Sequence, residues 1–350
     1  MAHIQGLIKS HAAPAYLVLT FAISWGGLLA VGGLDGLSAA TWQSDPRLPL
    51  MVAAMLAGPS TAGLLLTGVV SGRAGLRDLL SRVGRWRVGG RWYAAALLTA
   101  PVVFIAVHVS LSLASPAFRP GIVTTSGAAS LLVTSIAGAL AVGVFEELGW
   151  TGFAIPALRR QYSAMPTALL VGVPWGAWHL LTNDLWIART YAGDLPVAVF
   201  AVLNGVGLLA GQLPAYRLLM VWVYDRTGSL LIAMLMHASL SACTFVLGPE
   251  KATGSALVTY GFVLAAAWWT VAGVVAAIGR GRTGRLGKTT PQRGRDDASR
   301  LPARATAAAV WPLQPILEEQ QHGRVHTSCV QQSHAARGGA RPLAVRRGRG

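Results

Sequence analysis

Eight stretches of this 350-residue chain are long and apolar enough to dictate its fold class. They run over about 14–34, 48–70, 92–114, 128–157, 165–181, 196–224, 229–247 and 255–278. A bilayer's hydrocarbon core is about 30 Å thick and takes about 20 helical residues to cross. With no water inside it, the backbone must satisfy its own hydrogen bonds, so spanning segments of this length are helices. Only 12% of residues are charged, against about 25% in soluble domains. The expectation is an all-α polytopic membrane helix bundle of about eight helices over residues 1–278. The first run is longer than a signal-peptide core and is followed by further spans, so it reads as a retained anchor. Pro59, Pro101, Pro174 and Pro214 fall inside expected helices and should kink them. Cys243 and Cys329 lie far apart and suggest neither a disulfide framework nor a Cys-based metal site.

Charge orients the bundle. The formal net charge is +16. Residues 279–350 carry 14 Arg or Lys against 4 Asp or Glu, hence +10. This segment is rich in Arg, Gly, Ala and Pro and reads as a disordered tail that touches anionic lipid headgroups. It has no aromatic or motif context for nucleic acid. With eight spans, 25 basic residues share one side and Arg47, Arg119, Arg189 and Lys251 the other. The positive-inside rule then makes both termini cytoplasmic.

Inside the fourth run stand two adjacent carboxylates, Glu146 and Glu147. An acid in hydrocarbon costs several kcal/mol, on the order of 3, unless it is paired, protonated or hydrated, so it marks function by default. Glu146 lies 13 residues before Arg159, His179 lies 13 after Pro166, and His237 lies 11 after Arg226. At about 1.5 Å per residue, all three sit roughly 16–20 Å from the same membrane edge. An acid and two imidazoles on three helices thus share one depth. A carboxylate beside an imidazole can hold and deprotonate a water, and a second imidazole can donate to an oxyanion. Ser241, four residues after His237, shares its helix face. Two His and a Glu are also a catalytic zinc set, although the His-x-x-x-His pattern on one helix is absent. Proton-coupled transport is the other chemistry such groups support, but no internal repeat accompanies it. Singly, His108 reads as a packing residue, Asn204 and Gln212 as interhelical hydrogen-bond partners, and part of the stretch with Trp175, Trp178 and Trp186 as an aromatic belt.

Three blocks carry a family resemblance. They are Glu146-Glu147-Leu148-Gly149-Trp150-Thr151-Gly152-Phe153, then Trp175-Gly176-Ala177-Trp178-His179, then Thr227-Gly228-Ser229-Leu230 through His237-Ala238-Ser239-Leu240-Ser241. In order and spacing the region of about 128–247 resembles the CPBP family of intramembrane proteases, the CAAX-protease and bacteriocin-processing group. The resemblance implies hydrolysis of a peptide bond of a membrane-associated protein or peptide, and a place in the inner membrane of a bacterium. It implies Glu146 as general base, Glu147 as supporting carboxylate, His179 as a water-binding group, and His237 and Ser241 as oxyanion donors. The family is often called metalloprotease and a metal-free glutamate mechanism is also proposed for it. A divalent metal such as zinc, or none, both stay open.

The chain departs from the family pattern twice. Thr151 stands where the family usually has Arg, which removes an i,i+4 ion pair with Glu147. Ser241 stands for Asn. Glu147 must then be protonated, bonded to Thr151, or paired with a distant group. Arg217, inside the sixth run, is a candidate, but reads first as a snorkelling interface residue. The lost Arg also supports a different class of function, a catalytically inactive scaffold or peptide-immunity protein.

Overall fold

A computed structural model describes residues 11–34, 36, 45–186, 191 and 193–286. The chain divides into two units, Met1–Thr290 and Pro291–Gly350, and every described residue falls in the first. Most of the expected tail, with Cys329, lies outside the described residues. Among the described residues the secondary structure is helical, without strands. The elements are α1 Ala12–Gly32, α2 Leu48–Val83, α3 Gly90–Ser112, α4 Ala128–Gly149, α5 Ala164–Leu180, α6 Val197–Val206, α7 Leu213–Thr227, α8 Leu230–Leu247 and α9 Gly254–Leu286. A π-helical turn, Trp150–Ala154, carries α4 into the short helix Ile155–Arg159, and a second, Gly207–Gln212, joins α6 to α7.

The bundle is that of an integral membrane protein. Seven of the eight expected runs yield helices long and apolar enough to cross a membrane. The remaining one, expected at 165–181, is the 17-residue α5, after which the hydrogen-bond pattern widens to a π-helix over Leu181–Trp186. The Arg-rich stretch after residue 70 is not the loop expected between spans. It stays helical to Val83 beyond a break at Gly72. Arg82 anchors it, donating to Tyr224 Oη at 2.7 Å and to the Gly152 carbonyl at 3.0 Å. At the same end Arg159 pairs with Asp225 at 2.9 Å, and Ser229 caps α8 by accepting from the Ile232 amide while donating to the Arg85 carbonyl.

Trp175 and Trp178 are each 1% exposed, so they belong to the core and not to an aromatic belt. Burial draws their large apolar rings between helices and away from the interface where an indole is half-wetted. Gln212 does bridge helices as expected, donating to the Gly261 carbonyl at 3.3 Å.

Two helix crossings set the site. α4 packs along α8, and α5 along α7. In membranes such crossings rest on small residues that let backbones approach. A Cβ on Gly143 would lie 2.5 Å from the Met234 carbonyl oxygen, three residues before His237. A Cβ on Gly172 would lie 2.6 Å from Pro214 Cα. Both obstacles are backbone and cannot rotate aside. Gly143→Val is therefore expected to destabilise the bundle by about 1–3 kcal/mol through overpacking. Thermal unfolding in detergent should show a lowered midpoint, whereas Gly68→Ala, which meets nothing within 4 Å, should leave it unchanged.

Candidate active site

The two carboxylates of α4 are almost fully buried, Glu146 at 2% and Glu147 at 0% exposure. Adjacent residues on a helix point about 100° apart, and the two acids meet different partners. Glu147 is saturated. Both of its oxygens accept from Arg217 Nη1, at 3.0 and 2.9 Å. Oε1 also pairs with His237 Nδ1 at 2.7 Å, and Oε2 accepts from Thr151 Oγ1. Glu146 is nearly free. Its Oε2 accepts from the Trp175 indole N–H at 2.8 Å and lies 3.9 Å from His237 Nε2.

Arg217 corrects the sequence reading. It is not a snorkelling interface residue but 0% exposed. It lies within α7, ten residues before Thr227, and its guanidinium reaches Glu147 across the bundle. Its Cζ sits 4.0 Å over the ring of Trp175. The neutralising partner that Thr151 does not supply along α4 thus arrives from another helix. The sequence signal was a lone Arg in an apolar run together with an unpaired Glu.

The imidazoles are both held by Nδ1. In His237 a carboxylate accepts, and in His179 the Trp175 carbonyl accepts at 2.9 Å. Acceptors of these kinds require Nδ1 to carry the proton, which presents Nε2 as the working nitrogen of each ring. His237 is 2% exposed. Trp175 packs edgewise against both rings, with centroids 4.9 Å from His237 and 6.0 Å from His179. Trp175 is the organising residue that sequence reasoning missed. Its position four before His179 was visible, but its indole hydrogen bond to Glu146 was not.

Four of the five expected site residues, Glu146, Glu147, His179 and His237, therefore gather around Trp175 from α4, α5 and α8. Ser241 is buried one turn beyond His237, but makes no hydrogen bond among the described residues. His108 lies apart. It packs against Tyr260, whose hydroxyl is 3.2 Å from Nε2, and its Nδ1 meets the Phe118 carbonyl at 2.7 Å, in keeping with a packing role. Among the described residues no three His, Cys, Asp or Glu side chains are arranged to hold a metal ion. Glu147 is committed to protein partners, while Glu146 Oε1 and the Nε2 atoms of His179 and His237 stay uncommitted among the described residues, each ring held at Nδ1 in the way that orients an imidazole for a metal or a water.

Residues 128–243, which contain α4, α5, α7 and most of α8, match the family model described as type II CAAX prenyl endopeptidase, Rce1-like. A 40-residue segment is 42% identical to a protein named CAAX prenyl protease 2 from Methanococcus maripaludis. That match covers 11% of this chain and 15% of the length of that relative. The likeness to Rce1-like type II CAAX prenyl endopeptidases thus falls on residues 128–243, the part of the helical bundle that carries Glu146, Glu147, His179, Arg217 and His237.

Proposed function

We propose that the protein is an intramembrane endopeptidase that hydrolyses a peptide bond of a membrane-associated protein or peptide, with Glu146 as the general base. The observation that carries this reading is the pairing of one saturated and one nearly free carboxylate around a shared His237. Glu146 Oε1 accepts no hydrogen bond among the described residues, so one lone-pair set remains for a water. Glu146 takes a proton from that water as its oxygen attacks the carbonyl carbon. In this step His237 carries a proton on each nitrogen, Nδ1–H bound to Glu147 and Nε2–H donated to the tetrahedral oxyanion, and Ser241 lies one turn away as a second donor. Glu146 then returns its proton to the leaving nitrogen as the C–N bond breaks. His179 Nε2 accepts the water's other hydrogen and orients it.

The inactive-scaffold reading rested on the missing Arg at position 151. Arg217 supplies a guanidinium to the same carboxylate, which removes the reason for preferring that reading. We count the 17-residue α5 with the seven longer helices as an eighth span. Following the charge asymmetry, we place both termini on the cytoplasmic side and the basic tail against anionic headgroups. Following the family resemblance, we place the protein in a bacterial inner membrane.

Cleavage of fluorogenic lipid-anchored peptides, a prenylated CAAX peptide among them, by detergent-purified protein tests the reading. Glu146→Ala and His179→Ala should each lower the rate by about 10²–10⁴-fold, the range of a lost acid–base group, with insertion and melting unchanged. Full activity in either variant would sink the mechanism.

Trp175→Phe keeps the ring but strips the N–H that Glu146 accepts. Leaving a buried acceptor short of a donor costs about 1–3 kcal/mol. The expected result is a fall of roughly 10–100-fold in kcat with KM little changed, measured on the same peptide.

A further inference from the structure

The geometry points to Arg217 as a positioning residue that replaces, from α7, the guanidinium missing at position 151 in the π-helical turn after α4, and that sets His237 for catalysis by holding Glu147. This rests on the peptidase reading above and adds a residue to it.

The first observation is the chain of contacts. Arg217 Nη1 binds both oxygens of Glu147, and Glu147 Oε1 binds His237 Nδ1. An acceptor on Nδ1 keeps a proton on that nitrogen and fixes which way the ring faces. Nε2 is thereby turned toward Glu146, 3.9 Å away. Without the guanidinium, Glu147 is left as a buried charge with only a hydroxyl and an imidazole to hold it. It then takes a proton or rotates away, and His237 loses its acceptor.

The second observation is that the structure builds a place for this side chain. Gly172 lets α7 approach so closely that an added Cβ would sit 3.2 Å from Arg217 Cβ. Tyr216, its neighbour, donates to the carbonyl of Met236, the neighbour of His237, at 2.7 Å. Arg217 and His237 are thus locked in register across α7 and α8. The face of Trp175 covers the guanidinium from the other side.

The third observation is that Arg217 is placed poorly for stability alone. Its Nε and Nη2 make no hydrogen bond among the described residues although the side chain is 0% exposed. A buried ion pair is often no more stabilising than apolar residues of equal volume. Incomplete pairing makes the balance worse, so the geometry of Glu147 and His237 is what this arrangement secures.

The 3.5 Å separation of Arg217 Nη1 from Thr151 Oγ1 supplies a reciprocal test. Position 151 is the i,i+4 neighbour of Glu147, within reach of an arginine side chain. Thr151→Arg, Arg217→Ala and the double variant are compared with wild type. Rates are read on the fluorogenic lipid-anchored peptide. In parallel, ¹⁵N spectra of histidine-labelled protein report the protonation and hydrogen bonding of the two His237 nitrogens, its signals assigned by their loss in His237→Gln. Arg217→Ala should lower the rate at least about 100-fold and move the His237 signal. Thr151→Arg alone sets two buried guanidinium groups against one carboxylate and should also lower it. The double variant, with space vacated at 217, should recover to within about tenfold of wild type and restore the His237 signal. A merely structural arginine would give no such recovery.

Wild-type rate with an unmoved His237 signal in Arg217→Ala overturns the inference. So does a double variant that fails to fold, or that does no better than Arg217→Ala. Should wild-type protein cleave no peptide, the peptidase reading fails by itself, and the His237 spectra still decide whether Arg217 positions that ring.

Discussion

The ion pair between Glu147 and Arg217 is the constraint on which the site depends. Both side chains are fully buried. Moving either charge from water costs several kcal/mol, on the order of 5, even after relaxation. Neither helix can tolerate its own charge without the other at the correct height and rotation. The pair thereby fixes the register of α7 against α4. Through His237 on Glu147 Oε1, it fixes α8 as well. A net gain in stability is not needed for this. Alternative packings that separate the two charges are strongly disfavoured, and that is enough to specify one.

The division between the two carboxylates follows from their neighbours. Glu147 spends its lone pairs on an arginine, an imidazole and a hydroxyl. Glu146 has one indole N–H and a distant imidazole nitrogen. Trp175 separates and links the two environments. It donates to Glu146, shows its face to Arg217 and its edge to His237. A large apolar ring in that position excludes water, and in the lower local dielectric each remaining hydrogen bond acts more strongly.

Much of this was legible in the residues. Counting from Arg159, Pro166 and Arg226 set Glu146, His179 and His237 at one expected depth, and the structure draws them around one tryptophan. That worked because helical rise is constant and charged residues mark the ends of spans. The helical class followed from run length for the same reason. What could not be read was rotation about the helix axes. Arg217 looked like an interface residue because snorkelling is the common fate of a lone arginine near a helix end. Only the azimuth of α7 shows that it faces inward. Trp175 and Trp178 looked like a belt because indoles favour the interface. The π-helical turns and the break at Gly72 depend on hydrogen-bond partners that no local pattern announces.

Charge balance connects this packing to the proposed chemistry. The proposed step starts from two carboxylates, one guanidinium and an imidazolium, a set whose charges sum to zero. The two nitrogens of His237 face the two carboxylates. As water attacks, Glu146 gains a proton and becomes neutral while the substrate carbonyl oxygen becomes negative. One negative charge moves a few ångströms, about the length of a carboxyl group plus a hydrogen bond, and the total stays at zero. A dry site favours such a step, because net charge is expensive there and redistribution beside a fixed imidazolium is not. The same balance explains why the arginine can change helices. The carboxylate requires one guanidinium at a point in space, and either α4 or α7 can deliver it there.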